Sequence, residues 1–204
     1  METVYYPKRD DWNEIIKRPH LDVTTLNATV SDILNHVKNN GDVAVLQYEE
    51  QFDHVSLTSL SVSEEEISEA LSTVDRELME SLEIAHHNIA AFHQAQRYEG
   101  ISVETAPGVT CSQRSVPIEK VGLYIPGGTA PLFSTVLMLA TPAKIAGCRE
   151  IVLCTPPGRD GRVNPAIIAA AHIAGVNRIF KAGGVQAIGA MAYGTESVPK
   201  VRRV

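Results

Sequence analysis

Short apolar runs alternate with helical patterns along the second half of the chain. Residues 121–125, 151–155 and 178–180 are apolar stretches of strand length, and helical patterns follow them, the last at residues 186–193. Strands that alternate with helices favour right-handed crossovers and a parallel sheet. The near-continuous apolar character of the strands indicates burial on both faces. This half is therefore predicted to be an α/β unit, a parallel sheet with flanking helices.

Specific residues mark the ends of elements in this half. Asn164 followed by Pro165 is the pattern of an N-cap and a first helical residue, and Gly175 is a matching helix stop. Residues 200–204 follow the last predicted helix. They are expected to begin a fourth strand.

The first half of the chain has the pattern of helices and connectors. Apolar residues recur at helical intervals over residues 32–52, and the interruption at Gly41 predicts two helices joined there. Residues 75–97 are predicted to form a longer surface helix with one packed side. Residues 109–118 alternate as a strand or a hairpin arm does. The packed stripe of the longer helix consists of Leu78, Leu82, Ala85, Ile89 and Phe92.

A helix start lies between these two helical regions. Ser63 precedes three glutamates, and Ser63 with Glu66 makes a capping box. The contrast between the two halves divides the chain into a mostly helical N-terminal region, residues 1–120, and a sheet-forming domain, residues 121–204.

Composition and charge narrow the class of protein. The chain has 204 residues and a net charge of −6, which argues against nucleic acid as the main partner. No uncharged apolar run reaches the roughly 18 residues of a membrane helix, and the N-terminus lacks the apolar core of a signal peptide. Three cysteines without a CxxC pair favour a reducing compartment. The sequence therefore predicts a cytoplasmic protein that binds neither nucleic acid nor membrane.

Two glycine-bearing loops follow predicted strands, GLYIPGGT at residues 122–129 and AGGVQAI at residues 182–188. Ligands bind at the carboxyl edge of open α/β sheets, glycine lets the backbone approach them, and a helix N-terminus attracts phosphate. Neither loop matches an established nucleotide motif. A nucleotide-sized ligand and two ordinary tight turns both remain open. The candidate binding residues in these loops are Tyr124, Pro126, Gly127 and Gln186.

Other polar residues are weaker candidates. Ser134 and Thr135 open an apolar helical pattern, so one of them is expected to be its N-cap, and Ser134 can also contact a ligand at the same edge. Cys148 and Cys154 are expected to pack as small apolar groups. Three histidines are expected on the solvated faces of the predicted helix over residues 75–97, namely His86, His87 and His93.

No histidine or glutamate suited to act as a general base is recognised around the glycine loops. Glu119 precedes the first strand and so lies at its opposite end, and Glu196 follows the last helix with no obvious partner. From the residues alone, the sequence predicts a binding domain without catalytic residues and without a metal site.

Three segments resemble the histidinol dehydrogenase family. They are residues 121–157, residues 182–201 and the phrase GDVAVLQYEEQFD at residues 41–53, so the resemblance covers nearly the whole chain. It implies an incomplete Rossmann-like domain and a homodimeric, zinc-dependent enzyme. Such an enzyme oxidises L-histidinol to L-histidine through the aldehyde, with two NAD+ in succession.

The same resemblance implies roles for individual residues. Tyr124 and Gln186 match NAD-contacting positions, Pro126 and Gly127 neighbour the cofactor, and Ser134 faces the substrate. Members of the family are longer than this chain. Their zinc ligands and acid/base pair are expected in the part that would follow Val204, so no catalytic or metal-binding residue is assigned here.

The family resemblance, together with the absence of assigned zinc ligands and acid/base residues, allows two functional hypotheses. We expect a truncated histidinol dehydrogenase that is inactive on its own. The alternative is a stand-alone nucleotide-binding or interaction module without redox activity.

Overall fold

The computed structural model of the chain describes residues 3–18, 24–128 and 130–204. Thr129, the last residue of the first predicted glycine loop, lies outside these ranges. The helices are α1 (Trp12–Ile15), α2 (Thr24–Tyr48), α3 (Glu64–Thr73), α4 (Arg76–Ala95), α5 (Phe133–Ile145), α6 (Pro165–Ile173) and α7 (Gly184–Tyr193). The strands are β1 (Ile101–Ala106), β2 (Val109–Gln113), β3 (Lys120–Tyr124), β4 (Glu150–Thr155) and β5 (Arg178–Lys181). A 3₁₀ turn, Arg9–Asp11, precedes α1, and a π-helix, Glu49–Asp53, follows α2.

Strands β3, β4 and β5 form a parallel sheet in that order, which confirms the predicted α/β fold. Gly122 pairs with Val152, and Cys154 pairs with Phe180. Helices α5 and α6 connect the strands. Because the three strands run in the same direction, their carboxyl ends and the loops that follow them meet at one edge.

The sheet is extended at both sides by short segments. Next to β3, the predicted fourth strand forms a single parallel bridge, in which the Gly122 N–H donates to the Arg203 carbonyl at 2.8 Å. Next to β5, residues 60–62 run antiparallel, and the Lys181 N–H donates to the Leu60 carbonyl at 2.7 Å. Segments from both halves of the chain therefore pair with the same sheet.

Both faces of the sheet are covered by helices. Along β4, Ile151 and Leu153 belong to one apolar core, which also contains residues of α4, α5 and α6. Val152 and Cys154 belong to the other core, which contains residues of α2 and α7. This alternation is the two-residue period of a strand buried on both sides. Cys154 and Cys148 are buried free thiols, as predicted.

Most predicted helix boundaries are confirmed. Gly41 has a φ of 54° and separates two helical pieces within α2. Ser63 and Glu66 form the predicted capping box of α3, and Asn164 caps α6 with Pro165 at the first turn. Each of these helix boundaries depends on residues that are neighbours in the sequence, so the local signal was sufficient to predict it.

The expected N-cap of α5 is wrong. The helix begins at Phe133 with Leu132 in the cap position and no side-chain cap, so Ser134 and Thr135 lie inside its first turn. The Leu132 carbonyl accepts from the Thr135 N–H at 3.1 Å, and the N-cap lies two residues before Ser134, the earlier of the two expected cap residues.

The predicted stripe of α4 is confirmed except at its end. Leu82 is buried, and Leu78, Ala85 and Ile89 pack against the core. Phe92 is 65% exposed. Helix α4 has 20 residues and its neighbour α5 has 13, so α5 covers only part of its length.

The predicted strand over residues 109–118 is shorter than expected, and it forms the hairpin arm that the sequence pattern allowed. Strand β2 ends at Gln113 and pairs antiparallel with β1. Both strands are exposed along their whole length. Across the described part of the chain, no helix combines the length and the apolar character needed to span a membrane.

We expect Ser63→Ala to lower the free energy of unfolding by about 1 kcal/mol, the usual cost of losing an N-cap. The substitution removes the hydroxyl that accepts from the Glu66 N–H at 3.2 Å. Urea denaturation followed by circular dichroism measures the change.

Ser68→Ala is the matched control, because Ser68 is an exposed residue within α3, away from its N-terminus. Alanine is the better helix former there, so stability should stay constant or rise slightly. Equal losses for both variants would contradict a capping role for Ser63.

Candidate functional site

The two predicted glycine loops meet at the carboxyl edge of the sheet. Tyr124 is the last residue of β3, and Gly183 and Gly184 follow β5. The Gly184 N–H donates to the Tyr124 hydroxyl at 3.0 Å. This bond joins the two loops directly, although 60 residues separate the partners.

A cavity of about 610 Å³ opens beside these loops. Pro126, Gly127 and Gly128 form part of its wall, together with the loop that follows β4. Helices α3 and α6, Asp53 and residues 130–131 supply further parts of the wall. Its volume lies within the range of small-molecule and cofactor sites.

The sequence-predicted residues occupy different places around this cavity. Pro126 and Gly127 line it, and Tyr124 is half-buried at the neighbouring loop contact. Gln186 is 1% exposed and lies behind the second glycine loop. Ser134 is exposed on the first turn of α5 and is not among the lining residues. Of the five predicted residues, Pro126 and Gly127 therefore line the cavity, whereas Tyr124, Gln186 and Ser134 are not among its lining residues.

A buried glutamate lies under the second glycine loop. The Oε1 atom of Glu49 accepts from the Gly183 N–H at 2.9 Å and from the Gln186 Nε2 at 3.0 Å. The sequence pattern did not place this glutamate near the loops, and its position alone does not make it a general base. Glu49 is 134 residues from Gly183 in sequence, so their proximity exists only in the fold.

One sequence signal could have found Glu49. It stands four residues after Val45, a fully buried apolar residue, on the same side of a helix. A carboxylate at an apolar position of an amphipathic helix needs a partner inside the protein.

The π-helix brings a second carboxylate to the cavity. Glu49 and Asp53 are its first and last residues, and Asp53 lines the cavity. A β-carbon placed on Gly183 would lie 3.1 Å from Asp53 Oδ2 and 3.0 Å from Pro156. Glycine is therefore the residue that lets the second loop approach both groups. Single π-turns inside helices are frequent at functional sites.

Burial raises the pKa of Glu49 to about 7. The hydrogen bonds from Gly183 and Gln186 oppose this shift, and the neighbouring charge of Asp53 adds to it. Burial also raises the pKa of Asp53. Among the described residues, Glu49 Oε2 has no hydrogen-bond donor. A proton shared between the two adjacent carboxyls satisfies that oxygen and removes one of the two buried charges.

The cavity wall also contains an ion pair and an unpaired hydroxyl. Lys181, 8% exposed, contacts Glu66 Oε1 at 2.5 Å, and Glu66 lines the cavity. Burial opposes ionisation of Glu66, but hydrogen bonds from Lys181 and Ser63 lower its pKa overall. Thr155 Oγ1 is buried in the wall and has no partner among the described residues. A bound ligand can supply that partner.

Glu196 has a partner, contrary to expectation. Its Oε2 accepts from the Asp42 N–H at 2.7 Å, just after the break at Gly41. Asp42 in turn accepts from Thr195 Oγ1 at 2.5 Å and from the Ser197 hydroxyl. These bonds join the second part of α2 to the segment after α7. None of the residues that form them lines the cavity.

The described residues provide no group of three or more His, Cys, Asp or Glu side chains that could hold a metal ion. His86, His87 and His93 lie on α4, where His87 is exposed and the other two are half-buried. None of the three lines the cavity.

Comparisons with known proteins agree on one family. A family model described as "Histidinol dehydrogenase" matches residues 16–204. A histidinol dehydrogenase of Bacteroides fragilis is 61% identical over 204 residues, which are 100% of this chain and 48% of that protein. One of Escherichia coli (strain K12) is 47% identical over 203 residues, covering 95% of this chain and 46% of that protein.

A solved structure gives the same result. The crystal structure of histidinol dehydrogenase from Elizabethkingia anophelis matches with a TM-score of 0.90 and 45% identity, covering 96% of this chain and 45% of that chain. The chain spans about half the length of the curated relatives it matches.

We expect the stability of the protein to fall as the pH rises through about 7, because the pKa of Glu49 is raised from 4.5 to about 7 on folding. The stabilisation is complete below the unfolded pKa and is lost above the folded one. At about 1.4 kcal/mol per pKa unit, the loss is roughly 3 kcal/mol. Urea denaturation between pH 4.5 and 8 measures it.

Glu49→Gln should remove this part of the pH dependence, since glutamine mimics the protonated carboxyl. Glu50→Gln is the matched control, because Glu50 is the exposed neighbour in the same π-helix. A pH profile of Glu49→Gln that parallels the wild type would show that Glu49 does not titrate in this way.

Proposed function

Because this chain belongs to the histidinol dehydrogenase family, we propose that it forms the NAD-binding side of an enzyme of L-histidine biosynthesis. That enzyme oxidises L-histidinol to L-histidine through the aldehyde, with two NAD+ in succession. One observation carries the cofactor assignment. Two glycine loops at the carboxyl edge of a parallel sheet are joined by the Tyr124–Gly184 hydrogen bond beside a cavity of about 610 Å³.

The cavity has features that suit a dinucleotide. Gly127 and Gly128 present backbone in its wall, and a β-carbon on Gly128 would meet no atom within 4 Å. A phosphate can therefore approach that backbone closely. The buried Thr155 Oγ1 offers an unpaired hydrogen-bonding group to a ribose or phosphate oxygen. When bound, NAD+ supplies the hydride acceptor for the oxidation.

The loop residues differ in what they can offer the cofactor. The Tyr124 hydroxyl accepts from Gly184, so its own proton remains available to a ligand oxygen, and its ring can stack. Gln186, 1% exposed, donates its Nε2 to Glu49 Oε1 behind the second loop. Pro126 and Gly127 shape the wall. These four residues are the proposed cofactor contacts.

The proposed cofactor contacts do not include a metal ligand or a catalytic residue. The family resemblance implies zinc, but the described residues do not assemble a metal-binding group. No zinc ligand and no catalytic acid or base is therefore assigned in this chain. Ser134 is proposed for the substrate side on the resemblance alone. A cytoplasmic location and a homodimer with L-histidinol as substrate belong to the same proposal.

We expect Gly128→Leu to weaken NAD+ binding about tenfold or more, because the new side chain projects into the proposed cofactor space. Isothermal titration calorimetry of the chain with NAD+ measures the dissociation constant. ATP is titrated in parallel.

Gly108→Leu is the matched control for strain. Gly108 lies in the β1–β2 turn, and like Gly128 it has a positive φ and open space where a β-carbon would stand. It does not line the cavity. Equal affinities for the two variants would refute the cavity as the cofactor site. A preference for ATP, or no binding by the wild type, would favour a nucleotide or interaction module over the proposed function.

We expect no NADH when the 204-residue chain is assayed alone with L-histidinol, NAD+ and zinc. Removal of a hydride from an alcohol also requires a group that takes up the hydroxyl proton, and no such group is assigned at the cavity. Absorbance at the NADH band measures turnover. Clear NADH production would show that the chain contains the catalytic residues after all.

A further inference from the structure

We propose that Glu49 is a positioning residue for the dinucleotide. Its side chain holds the second glycine loop from the buried side, and its carboxyl pair with Asp53 links that loop to the cavity wall. The inference rests on the proposed cofactor site and adds a residue that touches no cofactor atom. Its basis is the hydrogen bonding of one fully buried side chain.

Glu49 binds two points of the same turn. Its Oε1 accepts from the Gly183 N–H at 2.9 Å and from the Gln186 side chain at 3.0 Å. Gly183 is the N-cap of α7, and no side-chain cap bonds this helix start from within its own sequence. A carboxylate from another element therefore holds the first turn of α7 and the side chain of Gln186 together.

Asp53 connects this support to the ligand space. Both carboxyls approach Gly183: Glu49 Oε1 accepts from its N–H at 2.9 Å, and Asp53 Oδ2 lies 3.1 Å from where a β-carbon on Gly183 would stand. Asp53 lines the cavity, whereas Glu49 does not. With Glu49 protonated, its unpartnered Oε2 can donate a proton toward Asp53 while its Oε1 keeps both bonds to the loop. Loss of that proton places two carboxylates side by side, and their repulsion must be relieved by a shift of Asp53 or of the loop.

Among the described residues, those of the sheet that face the two carboxyls carry no positive charge that would offset the repulsion between two carboxylates. From β3 and β4, Tyr124 and Cys154 face Glu49, and burial raises the pKa of both, so both are neutral near pH 7. On its own element, His54 lies close to Asp53 and favours its ionised form. Lys181, the buried cation at the end of β5, pairs with Glu66 instead. Ionisation of Glu49 is therefore expected to disturb the loop.

A purely structural role for Glu49 would affect stability alone. The test must therefore measure the opening of the second glycine loop and the affinity for NAD+ separately. The variants are Glu49→Ala, Glu49→Gln, Asp53→Asn and, as the exposed neighbour control, Glu50→Gln. NAD+ affinity is measured by calorimetry from pH 5.5 to 8.5. Amide hydrogen exchange of Gly183 and Gly184 is measured by NMR without ligand.

The expected results follow from the hydrogen bonds. In the wild type, NAD+ affinity falls as the pH rises through about 7. Glu49→Gln binds like the wild type at pH 6 and loses the pH dependence, because it keeps the acceptor without the charge. Glu49→Ala weakens binding about tenfold or more at every pH and accelerates exchange of the Gly183 amide by a similar factor, since a buried donor loses its partner. Asp53→Asn moves the midpoint to lower pH, and Glu50→Gln matches the wild type.

Different failures have different signatures. If the wild type does not bind NAD+, the cofactor assignment fails, and the proposed role for Glu49 in its binding fails with it; the amide exchange then still decides whether Glu49 holds the loop. If the wild type binds and Glu49→Gln retains the wild-type pH profile, the positioning role is refuted while the cofactor site stands. An unchanged midpoint in Asp53→Asn refutes the carboxyl pair. If Glu49→Ala does not fold, the comparison of Glu49→Gln with Glu50→Gln still decides the proposal.

Discussion

A parallel sheet cannot leave either face in water, and this constraint organises the whole molecule. The central strand, β4, is buried along nearly its full length, with alternate side chains in two different cores. Its own half of the chain provides α5, α6 and α7, and the helices of the first half complete both layers. The N-terminal helices are therefore part of the sheet's covering, and segment 60–62 also closes one of its edges. Burial of apolar area is the dominant stabilising contribution in such an arrangement.

The same constraint creates the candidate site. Three parallel strands end at one edge, so the loops after them meet there without any further device. The helices that cover the sheet also surround this edge, and α3 and α6 complete the cavity wall. The first half of the chain thus contributes to the site as well as to the core, since Asp53 and Glu66 both line the cavity.

Several polar side chains are buried near the carboxyl edge of the sheet, among otherwise apolar core residues. Glu49, Lys181 and Gln186 are all buried, and each is hydrogen bonded to a group at the glycine-loop edge or to the capping box of α3. Burial of ionisable groups costs stability unless they are paired. Such a cost is commonly tolerated where groups must be held in defined positions, and a ligand-binding edge is such a place.

The sequence by itself determined the elements whose signals are local. The capping box at Ser63, the break at Gly41, the α6 start at Asn164 and the apolar strands all act within a few residues, so they could be predicted one at a time. The family phrases identified the family, and the position of the strands predicted which loops would meet at one edge of the sheet.

Only the tertiary structure decided the contacts that join distant segments. Glu49 meets Gly183 across 134 residues, Glu196 meets Asp42 across 154, and Phe92 is 65% exposed although it continues the apolar stripe of α4. The fold also placed Gln186 behind its loop and Ser134 away from the cavity wall. The physical reason is that a buried polar contact depends on how helices and sheet pack in three dimensions. A sequence pattern reports the face on which a residue lies but not the residue that it will meet there.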